Sequence, residues 1–377
     1  MKMKYRLSQP VISKREINSV VTVLKDEFFG MGTKVKEFES KLSNFLGREA
    51  LCVSTGTSAL QLGLIGAGIK PGDEVLVPSL TFVATYQAIS ATGAIPISCD
   101  INPETLHIDL SDAQLRVTSR TKAIVPVYFA GATNCLQSVY KFAKVNSIRI
   151  IEDAAHAFGS RDSGNLVGSI GDISCFSFDG IKNITSGEGG AVVTDDKVVI
   201  NRIKDARLLG VLGDSEKREN RERSWDFDVQ NQGWRYHMSD IFAAIGIVQL
   251  DKLPQNGKLR QALFDRYVEN LKGHPRIKLF DWQTSNGMIP HVFVLQVVNL
   301  KNRNLLREKL EKKGIPTGVH YKPNHLLSFY RTDYILKKTE EIYPELLTLP
   351  LHPKLRIKDV NYITNNLIRI IDESEWN

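Results

Sequence analysis

Lys182 stands in the stretch Phe176-Ser177-Phe178-Asp179-Gly180-Ile181-Lys182-Asn183-Ile184-Thr185-Ser186-Gly187-Glu188-Gly189-Gly190, downstream of an apolar run ending in Glu152-Asp153-Ala154-Ala155-His156. A lone lysine in a glycine-rich loop and an acid at a strand end are the pair that pyridoxal phosphate chemistry requires. The amine forms a Schiff base with the aldehyde, and the carboxylate keeps the pyridine nitrogen protonated so that the ring accepts electrons. Lys182 and Asp153 are the candidates for those two tasks. An acidic pair closing the apolar run Ile148-Arg149-Ile150-Ile151 is costly near an interior unless a cation partners it. The alternative for Asp153 is a surface carboxylate or helix cap.

A phosphorylated cofactor also needs an anion cradle. Ser54-Thr55-Gly56-Thr57-Ser58 follows a short strand and opens an apolar helix from Ala59 to Gly68, so small residues let backbone N–H groups approach an anion at the positive helix end. The same residues would serve equally as a plain N-cap. Phe82, in Pro78-Ser79-Leu80-Thr81-Phe82, follows another strand, where its ring either stacks on a flat cofactor or packs in the core. His156 either hydrogen-bonds the phenolic oxygen of such a ring or is a satisfied helix residue. Most lysines are solvated; the setting of Lys182 sets it apart, with a hydroxyl on the preceding strand at Ser177 and the glycines from 187 to 190 beyond it. That glycine cluster precedes the strand Ala191 to Thr194, whereas a dinucleotide fingerprint must follow a strand and open a helix.

These groups need a scaffold. Residues 13 to 46 carry two helical patterns, Ile17, Val20, Val21, Leu24 and then Val35, Phe38, Leu42, Phe45. From residue 50, β-rich runs alternate with helix-like segments: Ala50 to Val53, Glu74 to Val77, Ala94 to Cys99, Ala123 to Val127, Ile148 to Ile151, Ile173 to Phe178 and Gly190 to Thr194. The alternation predicts an α/β fold, a mixed and mainly parallel sheet between helices, with ligands at the carboxyl ends of the strands. Residues Gly213 to Asp228 hold many charges and little apolar side chain, which predicts a mobile loop. A helix from Ser239 to about Leu253 leads past Pro254 into an amphipathic segment with Leu259, Leu263, Tyr267 and Leu271. Beyond it, His291 to Val298 reads as a strand, Leu305 to Lys313 and Lys358 to Ile371 as helices. The expected division is a large cofactor-binding domain over 13–253 and a smaller C-terminal α+β domain over 254–377.

The 377 residues carry a net charge of +7, with 49 basic and 42 acidic residues dispersed together. No one-sign stripe suggests nucleic acid as partner, and a phosphorylated small molecule fits the charge as well. Cys52, Cys99, Cys135 and Cys175 lack paired spacing, so neither a metal site nor a disulfide framework is expected and reduced thiols in a cytoplasm fit best. Met1 to Pro10 has no apolar core and no run approaches the ~20 apolar residues that span a bilayer, so neither export signal nor membrane partner is expected.

In combination the sequence resembles the DegT/StrS-like nucleotide-sugar aminotransferases, fold type I enzymes of pyridoxal 5'-phosphate. The resemblance runs from Gln9-Pro10 and Gly30-Met31-Gly32-Thr33-Lys34-Val35 through Thr55-Gly56-Thr57-Ser58-Ala59-Leu60, Pro71-Gly72-Asp73-Glu74-Val75, the Asp153 and Lys182 stretches and Leu349-Pro350-Leu351-His352-Pro353. It implies that Lys182 holds the cofactor and Asp153 pairs with its pyridinium. It further implies that Phe82 stacks on the ring, His156 sits near its phenolic oxygen, and Thr57, Ser58 and Ser177 bind its phosphate. Gly32, Thr33, Lys34, His320 and Tyr321 would meet the substrate. A homodimer is implied, with Arg235, in Gly233-Trp234-Arg235-Tyr236-His237-Met238-Ser239-Asp240, reaching the phosphate of the neighbouring subunit where many relatives have Asn or Lys. Tyr128-Phe129-Ala130-Gly131 departs from the histidine that many relatives place after the strand. The implied reaction is transamination of a nucleotide-linked keto sugar, with L-glutamate as amino donor, in bacterial surface-glycan assembly such as lipopolysaccharide O-antigen. The Lys-Asn-Ile-Thr form of the loop looks more like members that aminate carbon 4 than carbon 3. A dehydratase of the same fold, or a non-catalytic regulator that kept it, are the alternatives; a lysine at 182 favours transamination.

Overall fold

The computed structural model describes residues 4–133, 136–223, 225–281 and 287–373. Cys135 and the first three residues of the N-terminal stretch therefore lie outside the described residues. Twelve helices and twelve strands, labelled in chain order, organise the described chain.

Seven strands form one sheet: β1 (Glu49–Val53), β2 (Glu74–Pro78), β3 (Ile95–Cys99), β4 (Thr121–Ile124), β5 (Arg149–Asp153), β8 (Ile173–Ser177) and β9 (Gly190–Thr194). Their spatial order is β1-β9-β8-β5-β4-β2-β3, and β9 alone runs against its neighbours. All six other strands are parallel, as the alternating pattern predicts. β2, β8 and β9 are buried at every residue, which suits a sheet covered on both faces. The covering helices are α1 (Lys14–Asp26), α2 (Thr33–Leu46), α3 (Gly56–Gly66), α4 (Val83–Ser90), α5 (Leu110–Leu115), α6 (Leu136–Asn146) and α7 (Lys197–Ala206). α3 is apolar nearly all round, with Ala59, Leu62 and Leu64 fully enclosed, so it packs centrally. Truncating either leucine to alanine would cost about 2–5 kcal/mol. A short hairpin, β6 (Arg161–Asp162) and β7 (Asn165–Leu166), follows β5.

α1 forms where its periodicity predicts, started by a Ser13/Glu16 capping box. Its apolar positions Ile17, Val21 and Leu24 nevertheless face outward and are 40–55% exposed in the single chain. The stretch 213 to 228, expected as a mobile loop, is corrected at six residues, while the described residues after Glu219 are exposed and irregular. Asp214–Glu219 is a helix, α8, in which Asp214 and Ser215 are buried. Arg218 closes on Asp214 at 2.9 Å, and Ser215 receives the Nε–H of the fully buried Arg207 at 3.1 Å. Asp214 and Arg218 pair with each other, while Glu216, Lys217, Glu222 and Arg223 are exposed.

α9 (Asp240–Leu271) runs unbroken for 32 residues with Pro254 inside it, so position 253/254 falls within one continuous helix. The second sheet, β10 (Ile277–Lys278), β11 (Phe293–Val297) and β12 (Leu346–Leu349), is antiparallel in the order β10-β11-β12. It shares a core with the later part of α9, α10 (Arg303–Glu311) and α12 (Ile357–Glu373), while α11 (Lys337–Ile342) lies beside it. An isolated bridge between Gly318 and Thr348 ties the segment leading to His320 onto β12. The smaller sheet thereby supplies side chains to the carboxyl edge of the larger one. Cys52, Cys99 and Cys175 are buried and free. Among the described residues no helix is long and apolar enough to cross a membrane.

Candidate active site

The carboxyl ends of β1, β5 and β8 open on one cavity of about 450 Å³, whose lining includes Lys182, Asp153, His156, Thr57, Phe82, Ser177, His320 and Tyr321. That volume falls in the range of small-molecule sites. Lys182 follows the turn after β8, where its backbone N–H donates to the Asp179 carbonyl at 3.1 Å. Burial pushes the Lys182 amine below its ordinary range, opposed by the charges of Asp153 and Asp179. A larger share of neutral, nucleophilic amine results.

Asp153 is the last residue of β5 and is buried. Burial raises its carboxyl, while the Thr85 hydroxyl at 2.7 Å and the Ala155 N–H at 3.2 Å stabilise the charged form, as does Lys182. No arginine or lysine side chain makes an ion pair with it among the described residues. A buried carboxylate facing a cavity without an ion-pair partner is the feature that a cationic ring nitrogen would complete. The neighbouring Glu152 points elsewhere: it accepts from Ser174 at 2.7 Å and from Tyr140, and is structural.

His156 offers Nε2 to the Tyr321 hydroxyl at 3.1 Å, leaving Nδ1 buried without a protein partner. Burial drives its imidazole well below the usual histidine range, reinforced by Lys182 and His320, so it is neutral at pH 7. His320 is held by Thr348 of β12 at 2.8 Å and lowered to about 4 by burial and then by Lys182. Burial raises the Tyr321 phenol, as do Asp153 and Asp179. Phe82 is 54% exposed and its ring lies 5.5 Å from that of Tyr321, so the core-packing alternative fails. An apolar ring so exposed at a cavity is available for stacking.

The anion cradle differs in one residue from expectation. Thr55 and Ser58 form a capping box in which Ser58 N–H donates to Thr55 Oγ1 at 3.0 Å and Thr55 N–H donates to Ser58 Oγ at 3.0 Å, while the Ser58 hydroxyl itself donates to the Thr55 carbonyl at 2.8 Å. Ser58 is thus turned inward, does not line the cavity and has no free donor for a phosphate. Thr57 and Ser177 do line it, and among the described residues nothing takes up the N–H groups of Gly56 and Thr57. A Cβ on Gly56 would stand 2.7 Å from Ser177 Cβ and 3.2 Å from its Cα. Only glycine lets α3 approach β8 closely enough to leave this donor-lined notch at a helix start, and such a notch fits a phosphate.

Gly32, Thr33 and Lys34 are not brought to the cavity. Asp240, at the start of α9, accepts from Gly32 N–H at 2.9 Å and Val35 N–H at 3.0 Å, while Lys34 pairs with Glu37 at 2.7 Å. Arg235 is exposed on a separate hollow with Arg218 and Phe227, away from the cavity of its own chain. Thr85, Asp179 and Glu188 line the cavity although the sequence reading gave them no role. Glu188 sits in the glycine-rich stretch already singled out; Thr85 lies 68 residues from its partner Asp153, and no local pattern marks it.

Residues 10–368 match the model of the DegT/DnrJ/EryC1/StrS aminotransferase family. The uncharacterized protein MJ1066 of Methanocaldococcus jannaschii is 36% identical over 97% of both chains. The putative sugar aminotransferase Spr1654 of Streptococcus pneumoniae, in its PLP form, superposes with a TM-score of 0.89 at 31% identity, covering 98% of this chain and 99% of that one. PseC of Helicobacter pylori, an aminotransferase involved in the biosynthesis of pseudoaminic acid, superposes at 0.91 with 28% identity over 99% and 100% of the two chains. The match spans nearly the whole sequence, and the chain belongs to the DegT/DnrJ/EryC1/StrS aminotransferase family.

Proposed function

We propose that this protein is a pyridoxal 5'-phosphate-dependent aminotransferase of a nucleotide-linked keto-deoxysugar, carrying UDP or dTDP, with L-glutamate as amino donor and carbon 4 as the aminated position. The observation that carries the reading is the convergence of Lys182, Asp153 and the Gly56/Ser177 notch on one cavity. When bound, the cofactor supplies an electron sink that stabilises negative charge on the substrate carbon next to nitrogen.

The chain's own residues set up that chemistry. Lys182, partly neutral, attaches the cofactor and, once released, moves a proton at its Nζ to and from the substrate carbon. Asp153, ionised with help from Thr85, holds positive charge at the ring nitrogen. His156, neutral and bonded to Tyr321, orients at the phenolic oxygen, and Phe82 covers one ring face. Thr57, Ser177 and the N–H groups of Gly56 and Thr57 take the phosphate. His320 and Tyr321, which line the cavity, would meet the sugar.

The proposal includes a homodimer. The exposed stripe Ile17, Val21 and Leu24 on α1 is apolar surface that a second copy would cover, and Arg235 would then donate to the partner's phosphate. Work in the cytoplasm, in bacterial surface-glycan assembly, completes the proposal. The test is to load the enzyme, add L-glutamate, follow conversion of the cofactor to its amine form by absorbance, and then offer UDP- and dTDP-linked 4-keto and 3-keto sugars. Amination at carbon 4 of one such sugar is expected. Release of a hydroxyl without transfer of nitrogen would mark a dehydratase and overturn the proposal.

A further inference from the structure

Asn183, directly after the lysine, is buried, and its side-chain amide is aimed at three backbone carbonyls from two separate segments. Nδ2 lies 3.4 Å from the His156 carbonyl, 3.3 Å from the Phe158 carbonyl and 3.3 Å from the Ile289 carbonyl. Three acceptors around one nitrogen fix the orientation of the amide, because its oxygen cannot serve there. Among the described residues these carbonyls accept from no other side chain. The two segments are the turn after β5 that carries both His156 and Phe158, and the approach to β11. That approach brings His291 onto His156, with ring centroids 4.2 Å apart. Gly131 lies beneath the same point at φ +98, where a Cβ would stand 2.6 Å from the Ile289 oxygen and 3.0 Å from that of His156. The junction is therefore close-packed as well as hydrogen-bonded.

We propose that Asn183 is a positioning residue that fixes where the Lys182 amine stands relative to His156, by fastening the lysine loop to the backbone of His156, Phe158 and Ile289 through one amide. The proposal rests on the functional reading above. Two N–H groups shared among three carbonyls at these distances make individually weak bonds, so the fastening holds through their number and the surrounding packing. Loss of the amide leaves buried carbonyls unpaired and frees the loop to move Lys182 by a fraction of an ångström. Proton transfer is sensitive to such displacements.

The experiment compares the loaded wild-type enzyme with Asn183→Ala, Asn183→Asp and a control, Ile184→Val, which loosens the adjacent core without touching the junction. The readouts are the pH titration of the lysine-bound cofactor's absorbance, the isotope effect with α-deuterated glutamate, kcat and KM separately, and Tm. Both Asn183 variants are expected to shift the titration midpoint by on the order of one pH unit. They are also expected to raise the isotope effect and to lower kcat roughly 10- to 100-fold with KM little changed. Ile184→Val should alter Tm alone. A wild-type titration and isotope effect in both Asn183 variants, with only Tm lowered, would overturn the proposal. Should Asn183→Ala not fold, Asn183→Ser keeps one donor on a shorter arm, and an unshifted titration from it overturns the proposal equally. Absence of a lysine-bound chromophore in the wild type would instead bring down the functional reading, and this inference with it.

Discussion

Thr85→Val tests the electrostatics of the site at a residue that touches Asp153. The substitution keeps the shape of the side chain and replaces the hydroxyl that donates to Asp153 Oδ2 at 2.7 Å with a methyl group. Thr85 is itself within 3.0 Å of the Thr81 hydroxyl, so a two-link chain of hydroxyls ends on the carboxylate. A hydrogen bond to a buried charge is worth about 1.5–3 kcal/mol. Burial already raises the Asp153 carboxyl, and Thr85 is the leading influence that holds it down. Without Thr85 the carboxyl becomes harder to ionise and less able to hold a protonated ring nitrogen. Converted at about 1.4 kcal/mol per decade, the loss predicts cofactor binding weakened roughly 10- to 100-fold. Equilibrium dialysis of pyridoxal phosphate, with Tm measured on the cofactor-free protein, separates that effect from general destabilisation. Thr85→Ser, which restores the hydroxyl, should recover most of the affinity. A Thr85→Val protein that binds as tightly as wild type would show that Asp153 does not depend on this bond, and the electrostatic reasoning would fail.

Gly56→Ala should weaken cofactor binding about 10-fold or more, because forcing a methyl to 2.7 Å from Ser177 Cβ carries an overpacking cost of about 1–3 kcal/mol at the notch; unchanged affinity by dialysis would contradict the phosphate assignment. Acid stability should depend on Glu16, which burial raises but Lys252 at 2.5 Å and Ser13 at 2.7 Å outweigh, leaving its carboxyl at about 2. Its folded value lies below its unfolded one, so its stabilising contribution is complete above about 4.5 and disappears as pH falls toward 2. Urea midpoints of Glu16→Gln and wild type should therefore converge over that window, and a constant gap would refute the assignment. Arg207→Met should destabilise by about 3–5 kcal/mol, since it strands the Glu39 carboxylate that Arg207 contacts at 2.5 Å in the core. A urea midpoint equal to wild type would mean that Glu39 finds another partner.

Much of the fold was legible because its signals are local. Short β-rich runs alternating with apolar helices specify a covered, mainly parallel sheet, and the acid and lysine that punctuate β5 and the turn after β8 arrive at one edge by that topology alone. Boundaries shifted by one to three residues, as with Arg149–Asp153, where the strand extends to include the acid itself. Long-range pairings escaped. Nothing near Gly32 announces that Asp240, 208 residues on, will accept its N–H. Ser58 lies at a helix start, as its pattern suggests, but its single O–H is given to the Thr55 carbonyl at 2.8 Å and not to the cavity, a bond that the sequence does not announce. The segment after Gly213 has the composition of a loop; α8 forms because a core arginine, Arg207, meets Ser215 and because Asp214 and Arg218 pair one turn apart. Pro254 suggested a break, yet α9 continues through it, its flanks packed against both sheets' cores.

The central claim is that the amine of Lys182 is the group that carries the cofactor. Reduction of the loaded enzyme with borohydride, followed by digestion and mass spectrometry, reads this directly. The account predicts a phosphopyridoxyl adduct on the peptide containing Lys182, absent from Lys182→Ala. An adduct confined to a different lysine, or the same adduct surviving in Lys182→Ala, would contradict it.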